Sequence, residues 1–376
     1  MPQAQIPNVA IRGVVCAVPG DPIPVAEIAP HFGAEEVAKI AKTVGLREVY
    51  RVGANQTAGD LATAAAERLL TDLGWEKSSI DGVVMVTQSP DHICPATANI
   101  VHGKLGLPDT CLAFDVNQGC SGYVYGLYMA SQFVATGGCK RFLLLAGDTS
   151  SLATSTEDRS VAMLFGDAGT ATALEFEPGT EVMSFVLGSD GTGAPNLVVP
   201  AGGYRHRMTP DVLVRVEAED GNRRAPIELY MDGLAIFNFT LKRVPPLVRG
   251  ILELHGWTAE TPRAVLFHQA NGFILGMMGK KLKLRPDQVP SNIDRYGNTS
   301  MSSIPLLLAD NLSGEATQPG AALPLVMVGF GIGYSWAAAA LTLRGLRTAR
   351  VIHVPRNEGA AFTRVEARST FAAQSI

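Results

Sequence analysis

Short apolar segments alternate with longer amphipathic segments along most of this chain. The short segments are rich in β-branched residues and are bounded by glycine, proline or polar residues, a pattern typical of buried strands. They are residues 6–18, 82–87, 112–116, 141–146, 170–176, 181–188 and 264–267. Regular alternation of strands and helices predicts an α/β fold with mostly parallel sheets and helical layers.

The amphipathic segments predict helices at residues 25–44, 58–73, 95–106, 123–134, 227–254, 271–284 and 298–314. Thr57 and Asp60 match a capping box at the start of the second of these helices. Pro245 and Pro246 predict a kink or a break in the helix at 227–254.

The length of 376 residues indicates about two domains, or one large unit built from two halves. The alternation of strands and helices repeats in the second part of the chain, so we expect halves at residues 1–178 and 179–343. Residues 344–376 are polar and weakly periodic. We expect this C-terminal tail to lie on the surface or to be partly disordered.

Residues 321–343 carry no charged side chain and are long enough to cross a bilayer. Pro324 and the glycine-rich stretch 329–333 interrupt this segment. We therefore interpret it as two buried strands joined by a tight glycine turn. Residues 1–20 lack the basic start and apolar core of a secretory signal, and no membrane association is expected.

Composition narrows the classes of function. Hydrophobic residues make up 47% and charged residues 18% of the chain, which is typical of a globular protein. The formal net charge is −4, so the composition does not show the excess of basic residues that is typical of nucleic-acid-binding proteins. The five cysteines are odd in number and lack the spacing of metal ligands. We expect free thiols, no metal site and a cytoplasmic location.

Cys120 lies between a predicted strand and a predicted helix, in the sequence Gly-Cys-Ser-Gly. The first N–H groups of a helix lack partners within the helix, and together with the helix dipole they stabilise an anion. We therefore expect a lowered thiol pKa, which would make Cys120 a nucleophile. The alternative is a small buried hydrophobic side chain, because free cysteines are often interior.

Two further polar residues stand at element junctions. His268 ends an apolar strand and Asn298 precedes a predicted helix, and each alone is explained as a satisfied polar residue or a helix cap. Together with Cys120 they share a chemistry. The thiolate would carry an acyl group, while the imidazole and the carboxamide would donate to a thioester oxygen during decarboxylation. Backbone N–H groups at Cys120 and in 329–333 would form an oxyanion hole.

A papain-like cysteine protease uses the same three residue types. The separation of 148 residues between Cys120 and His268 also fits that family. However, its local Cys-Gly-Ser-Cys-Trp signature is absent from this sequence. The expected free thiols and the repeated strand–helix pattern also argue against a protease.

Six ordered motifs make residues 6–343 resemble the β-ketoacyl-acyl-carrier-protein synthase III group of the thiolase superfamily. They are Asp115-Val116 through Cys120-Ser121-Gly122, Phe165-Gly166-Asp167, Ser189-Asp190-Gly191, His268-Gln269-Ala270-Asn271, Gly297-Asn298-Thr299-Ser300 and the glycine-rich turn before Trp336. The resemblance implies a five-layered α-β-α-β-α fold of two similar halves, usually as a homodimer. It also implies Cys120 as the acyl-carrying nucleophile, with His268 and Asn298 assisting decarboxylative condensation.

Several positions depart from the housekeeping members of that group. Lys39 and Thr43 stand where a tryptophan that stacks on coenzyme A and an arginine are usual. Phe273 replaces an arginine associated with carrier-protein docking, and Cys94 replaces an aromatic residue that reaches from the partner subunit and limits the acyl pocket. We therefore expect a specialised relative with a longer or wider pocket rather than an acetyl-primed initiator.

The terminal turn supplies the remaining expected site residues. Ile332 replaces a glycine there, and its backbone N–H would still serve with that of Cys120 in the oxyanion hole. Because isoleucine does not adopt the positive φ that glycine can, the replacement limits the conformation of the turn. Gly331 and Gly333 would line the substrate pocket with Cys94 and Phe273.

These observations leave three functions open. The first is decarboxylative condensation of an acyl thioester with malonyl-acyl-carrier protein. The second is transfer of the acyl group from cysteine to an alcohol, an amine or a second carrier protein without decarboxylation. The third is a non-catalytic subunit of a heterodimer. We expect no cofactor, because coenzyme A or carrier-protein phosphopantetheine thioesters would be substrates, and both fatty-acid initiation and specialised metabolism remain possible pathways.

Overall fold

The computed structural model describes residues 1–357. In chain order, its strands are β1 (Gln3–Ile6), β2 (Val9–Pro19), β3 (Ile23–Pro24), β4 (Glu48–Val49), β5 (Gly82–Val86), β6 (Leu112–Val116), β7 (Arg141–Asp148), β8 (Ala168–Phe176), β9 (Met183–Ser189), β10 (Leu197–Val198), β11 (Val216–Glu217), β12 (Arg223–Arg224), β13 (Tyr230–Met231), β14 (Ala264–Phe267), β15 (Ala322–Gly331), β16 (Ser335–Arg344) and β17 (Thr348–Val354). The helices are α1 (Val25–Ile28), α2 (Ala34–Val44), α3 (Ala58–Leu73), α4 (Thr97–Leu105), α5 (Gly122–Ala135), α6 (Gly233–His255), α7 (Gly272–Leu282), α8 (Ile293–Tyr296), α9 (Ser303–Asn311) and α10 (Ser313–Ala316).

Two large sheets organise these elements. The first has the strand order β17-β2-β8-β7-β5-β6, and the second has the order β1-β9-β16-β15-β14. Both sheets are mixed, and the prediction of mostly parallel sheets holds only for the first, in which three of the five strand pairs are parallel. It is wrong for the second, which contains a single parallel pair, β14 with β15. Antiparallel pairs arise where no α-helix lies between consecutive strands, as between β7 and β8 and between β15 and β16.

Apolar residues on both faces of each sheet produce five layers. Helices α3 and α4 cover the outer face of the first sheet, and α6 and α7 cover the outer face of the second. Helices α5 and α9 lie between the two sheets and are therefore buried on nearly all sides. The predicted five-layered α-β-α-β-α fold of two similar halves is confirmed.

The N-terminal strand and the C-terminal strand of the described chain belong to different sheets. Strand β1 pairs with β9 in the second sheet, and β17 pairs in parallel with β2 in the first. The C-terminal tail is expected on the surface or partly disordered, and its residues Thr348–Val354 form an edge strand of the first sheet whose residues are mostly half-buried or exposed. Residues 358–376 lie outside the described part of the chain.

Local sequence signals explain most helix boundaries. The capping box at α3 is formed, since the Asp60 N–H donates to Thr57 Oγ1 at 3.2 Å and the Thr57 N–H donates to Asp60 Oδ2 at 3.0 Å. The helix predicted at 25–44 is instead split into α1, a short 3₁₀ segment at Pro30–Phe32 and α2. Pro30 disfavours helical backbone at the residue before it, which ends α1.

Helix α6 begins at Gly233 rather than at 227 and continues without a break through Pro245 and Pro246. A proline at 245 removes the N–H that would pair with the Leu241 carbonyl. Lys281 of α7 supplies the missing donor, since its Nζ lies 3.0 Å from that oxygen. A tertiary contact thus replaces the lost helical hydrogen bond.

The segment at 321–343 forms β15 and β16, an antiparallel pair joined by the glycine-rich turn, as predicted. In the described part of the chain, no helix combines the length and the hydropathy that a bilayer span requires. All five cysteines are free thiols, also as predicted.

Candidate active site

A cavity of about 600 Å³ is lined by residues from the ranges 88–165 and 194–333. Cys120, His268 and Asn298 all line it, although they come from distant parts of the chain. Apolar side chains of the segment 197–236 form another wall, and they are Leu197, Val198, Val199, Leu229, Met231 and Ile236. The cavity thus places a thiol, an imidazole and a carboxamide beside an apolar compartment.

The nucleophile turn connects β6 to α5, as the sequence predicts. Cys120 precedes the first turn of α5 and is only 8% exposed, but its side chain lines the cavity. The hydroxyls of Ser121 and Ser335 lie 2.7 Å apart, and Ser335 Oγ also donates to the Ile332 carbonyl at 2.8 Å. This link holds the nucleophile turn against the turn between β15 and β16.

The glycine-rich turn packs directly on the sulfur. A Cβ atom at Gly331 would lie only 2.7 Å from Cys120 Sγ, so a larger residue does not fit there. The backbone N–H groups of Ile332 and of Cys120 itself both lower the pKa of the thiol. Ile332 is absent from the positive-φ residues among 1–357, so isoleucine replaces glycine here without backbone strain.

The expectation of a lowered thiol pKa at Cys120 is wrong. Burial raises the pKa to about 11, although the Ile332 N–H and the Ser300 hydroxyl both lower it. The buried carboxyl of Asp148 raises it further. Removal of the thiol from water outweighs the donors at the start of α5, so the resting nucleophile is a neutral thiol at pH 7.

His268 follows β14, and its backbone N–H donates to the Val328 carbonyl of the neighbouring strand β15 at 2.8 Å. Burial lowers the pKa of His268 to about 4, so the ring is neutral at pH 7. Its Nδ1 lies 3.0 Å from the Ser300 carbonyl oxygen and 2.9 Å from Ser303 Oγ. These contacts leave Nε2 as the ring nitrogen available to a substrate.

Hydrogen bonds between the Phe-Gly-Asp motif and the Gly-Asn-Thr-Ser motif hold Asn298 in place. Its N–H donates to the Leu164 carbonyl at 2.9 Å, and its carbonyl accepts from the Gly166 N–H at 3.2 Å. A Cβ at Gly166 would lie 2.1 Å from the backbone carbonyl oxygen of Tyr296. This close approach explains the glycine of the Phe-Gly-Asp motif. Asn298 Oδ1 accepts from the Ser300 N–H at 2.9 Å, so the amide NH₂ group is left to donate.

Ser300 contacts two of the three predicted catalytic residues and lowers the thiol pKa of the third. Its carbonyl faces His268, its N–H donates to Asn298, and its hydroxyl lowers the pKa of the Cys120 thiol. It has a φ of 51°, which is unusual for serine and places these three groups toward different partners. The sequence shows Ser300 only as the last residue of the Gly-Asn-Thr-Ser motif.

The structure separates the other predicted pocket residues into two groups. Gly331 and Gly333 line the cavity. Cys94 is exposed, and Phe273 is 55% exposed and packs on Phe237 with ring centroids 5.7 Å apart. Neither belongs to the lining of this chain's cavity among residues 1–357. A pocket role for Cys94 therefore requires the second subunit that the resemblance implies.

Sequence reasoning missed Asp148, which lines the cavity, and Ser303, which contacts a residue that lines it. Asp148 is the last residue of β7 and is 3% exposed at the cavity wall. An aspartate that ends a buried strand was the available signal, but it is a weak one in a single sequence. Ser303, which contacts His268, begins α9 and has no distinguishing motif.

Family models match both halves of the chain. The model for 3-oxoacyl-[acyl-carrier-protein] synthase III matches residues 114–191, and the model for the C-terminal part of the same enzymes matches residues 252–343. These two segments contain Cys120, His268 and Asn298. The matches therefore include every residue that the sequence singles out for catalysis.

Individual proteins agree with the family models. A putative 3-oxoacyl-[acyl-carrier-protein] synthase 3 from Campylobacter jejuni is 34% identical over 84% of this chain and 87% of its own length. The crystal structure of a 3-oxoacyl-(acyl-carrier protein) synthase from Burkholderia xenovorans LB400 is similar with a TM-score of 0.88 and 41% identity, covering 94% of this chain and 99% of that one.

A third similar structure comes from a polyketide biosynthetic pathway. The crystal structure of the priming β-ketosynthase from the R1128 polyketide biosynthetic pathway matches with a TM-score of 0.75 and 27% identity, covering 90% of this chain and 97% of that one. Taken with the thiolase fold and the cavity that holds Cys120, these similarities show that the chain belongs to the β-ketoacyl-acyl-carrier-protein synthase III family of acyltransferases.

Proposed function

We propose that this enzyme condenses an acyl group, carried on Cys120, with malonyl-acyl-carrier protein and releases carbon dioxide and a β-ketoacyl product. One observation carries the proposal: Cys120, His268 and Asn298 line the same cavity. Condensation requires a Cys120 thioester and a second thioester side by side, and we propose that both bind in this cavity.

In the first half-reaction, Cys120 Sγ attacks the carbonyl carbon of the donor thioester, and the donor thiol leaves. The negative charge that develops on the carbonyl oxygen needs backbone donors. The N–H groups of Cys120 and Ile332 both lower the pKa of the thiol in the free enzyme. Once the sulfur is acylated, both N–H groups are placed for the adjacent carbonyl oxygen.

In the second half-reaction, the malonyl thioester oxygen accepts hydrogen bonds from Asn298 Nδ2 and His268 Nε2. Loss of carbon dioxide then leaves a carbanion that these two donors stabilise as an enolate. The carbanion attacks the Cys120 thioester, and the thiolate leaves as the new carbon–carbon bond forms. No general base is needed, because decarboxylation generates the nucleophile directly.

Ser303 decides whether His268 can act as this donor. A neutral imidazole carries one N–H, and the Ser300 carbonyl can accept only from Nδ1. A hydrogen on Nε2 therefore requires Nδ1 to accept. The Ser303 hydroxyl lies 2.9 Å from Nδ1 and 2.8 Å from the Ser300 carbonyl, to which it donates in this structure, so its hydrogen has to turn from that carbonyl to the ring. The Gln269 N–H donates to the same hydroxyl at 3.2 Å and orients it.

We expect Ser303→Ala to slow condensation about 100-fold, because His268 then donates from Nδ1 to the Ser300 carbonyl and Nε2 loses its hydrogen. Acylation of Cys120 should be unaffected. Rates of both half-reactions, measured separately, check this result. Ser302→Ala is the matched control, because its hydroxyl is buried beside the site but donates to the Ala146 carbonyl at 3.1 Å. Equal loss in both half-reactions would contradict the tautomer assignment.

We also propose a specialised donor with an acyl chain longer than acetyl. Lys39 and Thr43 lie exposed on α2, whose C-terminal end packs on Gly272 at the start of α7. Neither side chain offers the aromatic stacking surface found in housekeeping members. The apolar wall formed by 197–236 gives an acyl chain an apolar surface to pack against.

The resemblance also supports a cytoplasmic homodimer that uses acyl-carrier protein and no cofactor. Exposed Ile93 and Cys94 lie on the segment that would reach the partner subunit. In that arrangement, the small Cys94 side chain would leave the partner's acyl pocket open at its far end.

One experiment tests the reaction and the donor together. The enzyme is incubated with malonyl-acyl-carrier protein and a series of acyl-coenzyme A donors of increasing length. We expect release of one carbon dioxide for each β-ketoacyl product, with the highest rate for a donor longer than acetyl. Acyl transfer to an alcohol or amine without carbon dioxide would support the non-decarboxylative alternative. A maximum at acetyl would contradict the specialised role, and absence of any Cys120 acylation would support the non-catalytic one.

A further inference from the structure

The active-site cavity has a polar wall in addition to the apolar wall formed by 197–236. Strands β6, β5 and β7 are neighbours in the first sheet and run parallel to one another. Ligands of α/β folds bind beside the carboxyl ends of such strands. The residues that follow or end these strands and line the cavity are Gln88, Ser89, Asn117, Asp148 and Thr149, which we call the polar wall. The cavity therefore offers one ligand both a polar and an apolar surface.

Hydrogen bonds hold the polar wall together as one unit. Asp148 is 3% exposed, and its Oδ1 accepts from the Gln88 N–H at 2.7 Å and from Ser89 Oγ at 3.2 Å. Ser89 Oγ accepts in turn from the Thr149 N–H at 2.9 Å. A buried carboxylate thus fixes the backbone that carries the side chain of Gln88.

The side chains of Gln88 and Asn117 carry the free hydrogen-bonding groups of this wall. Gln88 Nε2 donates to Asn117 Oδ1 at 3.2 Å, and both side chains are exposed. The NH₂ group of Asn117 has no hydrogen-bond partner within residues 1–357. Two carboxamides that share one hydrogen bond keep further N–H groups for a ligand. The pair is therefore able to bind an oxygen atom of a substrate.

The amide pair lies beside the nucleophile turn. A Cβ atom at Gly119, the residue before Cys120, would lie 2.3 Å from Gln88 Oε1 and 2.2 Å from Ile332 Cγ2. Gln88 thus packs against the backbone next to Cys120, and only glycine fits at position 119. An oxygen bound by the pair would belong to the part of an acyl chain that is nearest to the thioester.

We propose that the natural donor carries a hydroxyl or keto oxygen near its thioester, as in a 3-hydroxyacyl or 3-oxoacyl group, and that Asn117 and Gln88 select this oxygen. The inference rests on the proposed role of Cys120 as the acyl-carrying nucleophile, and it names the chemical class of the donor. The oxygen accepts from the NH₂ group of Asn117, while the rest of the chain packs on the apolar wall. A saturated acyl group displaces water from the amide pair without replacing its hydrogen bonds, which disfavours that group.

The test compares octanoyl-, 3-hydroxyoctanoyl- and 3-oxooctanoyl-coenzyme A, which have the same chain length. The rate of acylation is measured with the adduct located at Cys120 by peptide mass spectrometry, which separates it from the exposed Cys94. In the wild type, we expect an oxygen-bearing donor to react about tenfold faster than octanoyl. The faster of the two oxygen-bearing donors identifies the oxygen as hydroxyl or keto.

Asn117→Leu should abolish this preference, because it slows the oxygen-bearing donors and leaves octanoyl unaffected. Asn117→Asp keeps an oxygen that accepts from Gln88 Nε2 but lacks the NH₂ group, so it should lose the preference as well. The ratio between donors cancels any effect that a variant has on Cys120 itself. Thermal unfolding shows which variants fold, and Asn117→Asp carries the test if Asn117→Leu does not fold.

Gln118→Leu is the matched control. Gln118 is the next residue in the same turn, and its Nε2 donates to Ser121 Oγ at 3.1 Å. It does not belong to the cavity lining in the described part of the chain. This variant should keep the wild-type ratio between donors, and a lost preference here would contradict the assignment to Asn117.

The outcomes separate this inference from the proposed function. A wild type that reacts with octanoyl as fast as with the oxygen-bearing donors would overturn the inference alone, as would a preference that persists in both Asn117 variants. Either result would leave the amide pair only as a brace for the nucleophile turn. Preferential acylation by an oxygen-bearing donor without carbon dioxide release from malonyl-acyl-carrier protein would refute the proposed condensation alone. Absence of any adduct at Cys120 would overturn both.

Discussion

Cys120→Ala is expected to form no acyl adduct with any donor thioester, whereas His268→Ala should still become acylated. The physical reason is that the covalent bond is made by the sulfur, while the imidazole is needed only to stabilise the enolate of the second half-reaction. Condensation by His268→Ala should fall by about 1000-fold. Mass spectrometry of the intact protein after incubation with an acyl-coenzyme A gives the adduct directly.

Cys139→Ala is the matched control for the first variant. Cys139 is 8% exposed, like Cys120, and burial also raises its thiol pKa, but it does not line the cavity. This variant should acylate at the wild-type rate. An adduct that persists in Cys120→Ala would refute the nucleophile assignment. A failure of His268→Ala to acylate would show that the imidazole serves the first half-reaction too.

Gly331→Ala should reduce the rate of Cys120 acylation by at least about 100-fold while the protein remains folded. The added methyl group would lie 2.7 Å from Cys120 Sγ and 2.8 Å from its Cβ, well inside van der Waals contact. The sulfur must then move away from the N–H groups of Cys120 and Ile332. We expect a loss of about 1–3 kcal/mol in the free energy of unfolding, as for other overpacked sites.

The rate of adduct formation and denaturant unfolding measure the two effects. Gly276→Ala is the control, because this glycine is exposed on α7 and a Cβ there meets no atom within 4 Å. That variant should acylate normally and gain about 0.4–1 kcal/mol of stability. A wild-type acylation rate in Gly331→Ala would show that the turn moves aside without disturbing the nucleophile.

Sequence patterns correctly predicted the helices and strands that are determined by residues only a few positions apart. The β-branched run at 82–87 is strand β5, and the capping box of Thr57 and Asp60 begins α3. The strand–turn–helix at Cys120 and the strand pair at 321–343 were also predicted correctly. In each case, hydrophobic periodicity or a cap within a few residues is enough to select the element.

The errors concern contacts between distant residues. Strand β17 forms because its backbone pairs with β2, more than three hundred residues earlier, and its weakly periodic sequence gives no sign of this. Helix α6 survives Pro245 because Lys281 from another helix replaces a donor. The pKa of Cys120 rises because burial outweighs the donors at the start of α5, and burial is a property of the folded chain.

The sequence by itself determined which chemistry the chain carries: a cysteine at a helix start, a histidine at a strand end, an asparagine in a turn and six motifs in a family order. Tertiary structure alone decided that these three side chains share one cavity and that Asp148, Ser300 and Ser303 stand beside them. The physical reason is that residue identity and local periodicity act over a few positions. The pKa of a thiol, the tautomer of a histidine and the distances between side chains depend instead on the fold. The fold decides which groups are removed from water and which lie within hydrogen-bond distance.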